Sequence, residues 1–260
     1  MLTGLGLVLL VTAAWWCSTG AILRLGARPR STFGQSMLIA TLLLALAAVA
    51  LHLSSASRTI ASACIAFLAT VVVWGWLEMT FLLGAITGPR RSSCPAGCHG
   101  WAHLRHAVEA ILYHELVTIG GAALVAALCW RAPNQTGLWT YLILWGMRIS
   151  AKLNLFLGVP NTAVSMLPPH LQYLGTFFRR RAASPMFIAS VLAATALCAA
   201  LIGAAHRVPG WSFLAAERTL LATLAALALL EHWMLVLPIP AHAPWSAWRA
   251  APALPGEPRP

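Results

Sequence analysis

Apolar residues run along this chain in long blocks, separated by short stretches rich in Gly, Pro, Ser and Arg. A helix crosses a hydrocarbon core of about 30 Å with about 20 predominantly apolar residues. Seven blocks reach that length, at about 2–23, 35–53, 59–87, 101–130, 136–157, 185–205 and 211–237. They predict an all-α, polytopic integral membrane protein with one helical domain over 1–238. An interfacial loop at 158–184 and a Pro-rich tail at 239–260 complete it. The first block has no basic region before it, so it reads as a retained span and not a cleaved leader. The third and fourth blocks exceed the bilayer thickness and should tilt or protrude. No internal repeat of the kind common in transporters is visible.

The loops set the orientation. Ten Arg residues (24, 28, 30, 90, 91, 179, 180, 181, 249 and 259) fall on one side, and four (58, 131, 207 and 218) on the other. Basic loops stay cytoplasmic. The N-terminus is therefore expected outside (periplasmic) and the tail inside. In the longest loop, Leu171, Leu174 and Phe178 recur at helical spacing behind Pro168 and Pro169 and ahead of Arg179 to Arg181. That pattern predicts an amphipathic helix lying on the interface.

Composition sharpens the picture. Hydrophobic residues make up 60% of the 260 and charged residues 9%, with a mean hydropathy of +0.78. Soluble domains carry about 25% charged residues, so a soluble globular enzyme is excluded. The formal charge of +11 would suggest nucleic acid in a soluble protein, but no basic stripe or RNA-binding motif is present. There are 6 acids, none of them Asp, and Lys152 is the single Lys.

Most of those acids stand inside apolar blocks, where each ionisable group costs roughly 2.5–3.5 kcal/mol to insert. Glu78 is in the third block, and His106, Glu109, His114 and Glu115 are in the fourth. Arg148 and Lys152 are in the fifth, Glu231 and His232 in the seventh. At 1.5 Å per residue, Glu78, Glu109, Arg148, Lys152 and Glu231 fall within roughly 8–14 Å of the cytoplasmic boundary. Arg148 and Lys152, at i,i+4, share a helix face. The expectation is one polar layer buried between helices. It would serve as interhelical ion pairs, as a ligand or cofactor site, or as a proton or ion path.

Imidazole ligates zinc, iron and tetrapyrrole metals. His103, His106 and His114 lie within about 80° of each other on a helix. His103, and His99 just before it, stand at the water boundary, whereas His114 and His232 lie deep. The loop "CPAGCHG" (Cys94 to Gly100) differs from the haem-attachment pattern C-x-x-C-H by one residue. A redox pair, or a zinc site with His99, are the readings it leaves. No phosphate loop, HExxH or GxSxG occurs.

Three strings carry a resemblance: "YHELVTI" (113–119), "RISAKLNLFLGVPN" (148–161) and "LPPHLQYLGTFF" (167–178). Together they resemble the photosynthetic complex assembly protein family of purple bacteria, of the PuhE type. The resemblance implies an inner-membrane factor encoded beside the reaction-centre H subunit. Such factors are associated with assembling the reaction centre and light-harvesting complex and with bacteriochlorophyll supply, and are not established enzymes. Its motif positions are His114, Glu115, Arg148, Lys152, Asn154, Asn161 and His170. This chain departs from the family in carrying no acid between Thr162 and Met166. Bacteriochlorophyll or another tetrapyrrole is the implied cofactor class. The implied partners are the bilayer and reaction-centre or light-harvesting subunits. A membrane enzyme of tetrapyrrole metabolism and a small-molecule transporter are the alternatives.

Overall fold

The computed structural model describes residues 4–208 and 210–238. Seven long helices follow in order: α1 (Gly4–Gly26), α2 (Phe33–Ser55), α3 (Ile60–Leu82), α4 (Gly100–Leu128), α5 (Thr136–Leu157), α6 (Pro185–His206) and α7 (Phe213–Met234). Short 3₁₀ turns, η1 (Arg30–Thr32), η2 (Val164–Met166) and η3 (Pro169–Phe177), lie in the connections. No strand occurs among the described residues. A lone bridge pairs Val159 with Arg180.

Six of these helices are long and apolar enough to cross a membrane: α1, α2 (with η1), α3, α4, α6 and α7. The chain is thus a multi-pass membrane protein. The fifth, α5, has 22 residues but is diluted by Arg148, Lys152 and Asn154. It packs against α3, α4, α6 and α7.

Helix α3 runs through the middle. One of its faces carries Ala63, Cys64 and Phe67 against Leu7 and Val11 of α1 and Phe213, Ala216, Leu220 and Leu224 of α7. Its other face sets Ala66, Ala69, Val73 and Leu77 against α2, α4 and Tyr141 of α5. Small residues let the backbones approach, as is general between helices in lipid. A Cβ on Gly121 of α4 would meet the Tyr141 hydroxyl at 2.6 Å. Outward faces are apolar: Leu38, Leu42, Leu46 and Leu53 of α2, and Ile188 and Leu192 of α6, are exposed to the lipid.

The helix ends are written in polar side chains. Thr59 and Ser62 form a reciprocal capping box before α3, with bonds of 3.0 and 2.9 Å. α5 stops at Gly158, whose φ of +127° suits only glycine.

Two expectations are corrected. The third block was expected to be helical to Thr87, but α3 ends at Leu82. Gly84 (φ +75°) turns the chain in the left-handed region, and the amides of Leu83, Gly84, Ala85 and Ile86 close onto Met79, Phe81 and Thr80 carbonyls. Residues 83–90 then fold back against α4. The His114 amide donates to the Thr87 carbonyl at 2.9 Å, and that of Arg90 to the Glu109 carbonyl at 3.4 Å. Such irregular backbone is tolerated where protein buries it, and Thr87 is 1% exposed. The interfacial amphipathic helix is instead the 3₁₀ helix η3. It buries Leu171, Leu174 and Phe177 against Phe81 and Ala110, with Phe178 beyond its end. The Pro-rich tail, 239–260, lies outside the described residues.

Candidate functional site

The expected single layer resolves into separate contacts. The centre is α5. Arg148 donates to Glu78 of α3 at 2.7 Å, and one turn later Lys152 donates to Glu115 of α4. Two i,i+4 cations on α5 are thus matched to one acid on each of two neighbouring helices. His114 adjoins them and lies within electrostatic reach of both Lys152 and Arg148. Its ring packs on Phe81 at 4.6 Å. Around these pairs, Glu78 Oε1, Arg148 Nε, Trp145 Nε1 and His114 Nδ1 are buried without a hydrogen-bond partner.

Glu109 does not join this layer. It faces Arg105 at 3.5 Å and Arg90 at 3.9 Å. Glu109 precedes Glu115 on α4 and stands roughly 9 Å nearer the start of that helix. Glu231 makes no ion pair among the described residues but accepts from the Trp15 indole of α1 at 2.6 Å, within electrostatic reach of Arg148 and Glu78.

The remaining candidates join elements. His232 donates through Nδ1 to the Ala228 carbonyl and accepts from Ser150 at its Nε2, both at 2.9 Å, tying α7 to α5. Asn154 donates to Ser190 of α6 at 3.0 Å and to the Ser150 carbonyl at 2.9 Å. Asn161 closes the end of α7. Its side chain donates to Met234 O at 3.0 Å, and its amide to Leu235 O at 2.9 Å. His170 donates from Nε2 to Leu82 O at 2.9 Å, capping α3.

His106 belongs to a different group. Its Nδ1 lies 3.3 Å from Cys98 Sγ, while His103 Nδ1 lies 3.3 Å from Cys94 Sγ. The expectation that His99 would accompany the cysteines is corrected, because its ring turns back onto the Gly97 carbonyl at 2.6 Å. Burial, and next the Cys98 thiol, push the Cys94 thiol up to about 11, against the pull of Arg90.

Sequence reasoning passed over several partners. Trp15, Ser150 and Ser190 sit in apolar blocks and carry no signal of their own. Tyr141 does: it is the fully buried Tyr whose hydroxyl donates to the Thr118 carbonyl at 2.6 Å.

These features define a polytopic helical membrane protein whose helices are joined by matched charges and by amide, imidazole and indole contacts. The chain belongs to the family described as "Protein of unknown function (DUF3623)", whose model matches residues 1–254. It is similar to a Rhodobacter capsulatus protein described as "Uncharacterized 30.4 kDa protein in puhA 5'region". The two are 38% identical over 237 residues, 89% of this chain and 86% of that one. No solved structure matches.

Proposed function

We propose that this protein is an inner-membrane assembly factor for the photosynthetic reaction centre and light-harvesting complex. On this reading it holds an unassembled subunit or handles bacteriochlorophyll supply without catalysing a reaction. It crosses the membrane seven times, α5 included, with its N-terminus periplasmic and its tail cytoplasmic. The observation that carries the reading is the relative, described by its place in the puhA 5' region. The same direction is implied by the strings around His114, Lys152, Asn161 and His170. The geometry supports a holding role, since Arg148 and Lys152 are each engaged by an acid of a neighbouring helix. The test is deletion in a phototrophic purple bacterium. Reaction-centre and antenna absorption should fall and return on complementation; unchanged spectra would overturn the proposal.

A second reading is a membrane enzyme of tetrapyrrole metabolism. It is favoured by the unpartnered polar atoms of Glu78, Arg148, Trp145 and His114 beside the ion pairs. Buried polar atoms left without partners are costly and point to a further group. An absorption spectrum of the protein purified in mild detergent separates the readings. A bound tetrapyrrole, together with a pathway intermediate accumulating in deletion cells, selects the enzyme.

A further inference from the structure

The connection from α3 to α4 and the first turns of α4 bring two thiols and two imidazoles together. Cys94, Cys98 and His106 each turn one ligand atom inward, and these three atoms lie within 4.8 Å of one another. His103 sits one turn before His106 on the same face of α4, its Nδ1 3.3 Å from Cys94 Sγ. The spacing is Cys-x3-Cys followed by His after seven residues, and zinc sites use Cys-x2–4-Cys pairs of this kind.

We propose that Cys94, Cys98 and His106 bind a divalent ion of the zinc class, with His103 supplying the fourth ligand. Distances support this. Two ligands on one tetrahedral zinc, with bonds of about 2.3 Å to sulfur and about 2.0–2.1 Å to nitrogen, stand about 3.6 Å apart. Both sulfur–nitrogen distances here are 3.3 Å, so Cys94, Cys98 and His106 need only small side-chain rotations to surround an ion, and His103, outside that three-residue group, has to swing in from beside Cys94. Two thiolates balance its charge, and mixed thiolate and imidazole ligands select zinc over hard cations such as calcium. Metal on His106 Nδ1 leaves the proton on Nε2. Exposed Arg105, 3.5 Å from that nitrogen, then turns aside to Glu109, which it already approaches.

The surroundings suit a structural ion. The His103 ring stacks on Phe156 at 5.2 Å and lies 5.9 Å from Phe177, and the Cys94 amide donates to Thr176 of η3 at 3.0 Å. An ion here would fasten the connection and the start of α4 to α5 and η3. Its function does not depend on the assembly reading, because the site is built from residues outside the ion pairs.

The test uses full-length protein purified in mild detergent under reducing, oxygen-free conditions, stripped with chelator and titrated with cobalt(II). Uptake with thiolate-to-cobalt charge-transfer bands and tetrahedral d–d absorption is expected, displaced by zinc. Cys98→Ser and His106→Ala should each weaken cobalt binding by on the order of 100-fold, at or beyond the upper end of what outer-shell changes cost. His52→Ala, on α2, should not change it. Far-ultraviolet circular dichroism of each variant checks that the bundle is intact. No charge-transfer band in the wild type, a Cys94–Cys98 disulfide persisting under reduction, or unaltered cobalt affinity in Cys98→Ser would each overturn the proposal.

Discussion

The guanidinium of Arg148 meets the carboxylate of Glu78 at 2.7 Å, joining α5 to α3 within the bundle. Removing one partner leaves the other charge unmatched, which costs about 3–5 kcal/mol at a fully buried pair. Polar contacts between membrane helices couple by less, about 0.6 and at most about 1.7 kcal/mol. Glu78→Gln and Arg148→Met should therefore each lower stability in mild detergent by roughly 1–3 kcal/mol. The double variant should recover part of the loss. Thermal unfolding of the four proteins gives the coupling directly, and strictly additive effects would show that the pair contributes none.

Gly88 is where the folded-back connection touches α4. A methyl there would overlap the Glu109 carbonyl oxygen and sit 2.6 Å from the Ala110 carbonyl carbon. Both obstacles are backbone and cannot swing away. Gly88→Ala is expected to cost about 1–3 kcal/mol, the range of overpacked cores. Gly146→Ala, with nothing within 4 Å of the new methyl, should be neutral or slightly stabilising. Equal melting temperatures for the two variants would refute the packing assigned to residues 83–90.

His170 has a defined job at the end of α3. Loss of its bond to Leu82 O in His170→Ala should cost about 1 kcal/mol and raise amide exchange at Leu83 to Ile86. A glutamine at 170 can reach the same carbonyl and should restore part of the protection. Exchange that rises elsewhere but not in this segment would contradict the capping role.

Tyr141 offers a cleaner deletion. Tyr141→Phe keeps the ring packed on Trp74 but removes the second hydrogen bond from the Thr118 carbonyl, which the α4 backbone still engages. A loss of about 1–2 kcal/mol is expected. Tyr141→Leu should lose more, since it also removes the edge contact with Trp74 at 5.4 Å.

Block lengths alone located all seven long helices, and for α5 they matched both ends. What they could not locate was the stop inside the third block. Leu83, Ala85 and Ile86 keep hydropathy high to Thr87, so only the left-handed turn at Gly84 betrays it. Distance from the helix start groups Glu109 with the ion pairs, but its partners are Arg105 and Arg90, which neither depth nor apolarity identifies. The segment after Pro168 was read at 3.6 residues per turn, whereas Leu171, Leu174 and Phe177 recur every three. Around the cysteines, adjacency in sequence favoured His99. Helical spacing puts His103 and His106 on the face that the loop covers. Sign matching on α5 was legible, but the choice of Glu115 for Lys152 depended on a neighbour's register.

The order of the acids along the chain bears on biosynthesis. On the proposed seven-span reading, Arg148 and Lys152 together burden α5 with roughly 5–7 kcal/mol as it leaves the translocon alone. Their counterions, Glu78 and Glu115, belong to helices synthesised earlier and would already be waiting at the lateral gate. A ribosome-bound nascent chain carrying Glu78→Gln and Glu115→Gln should therefore stall α5 at the water-filled channel, readable by glycosylation mapping of engineered acceptor sites.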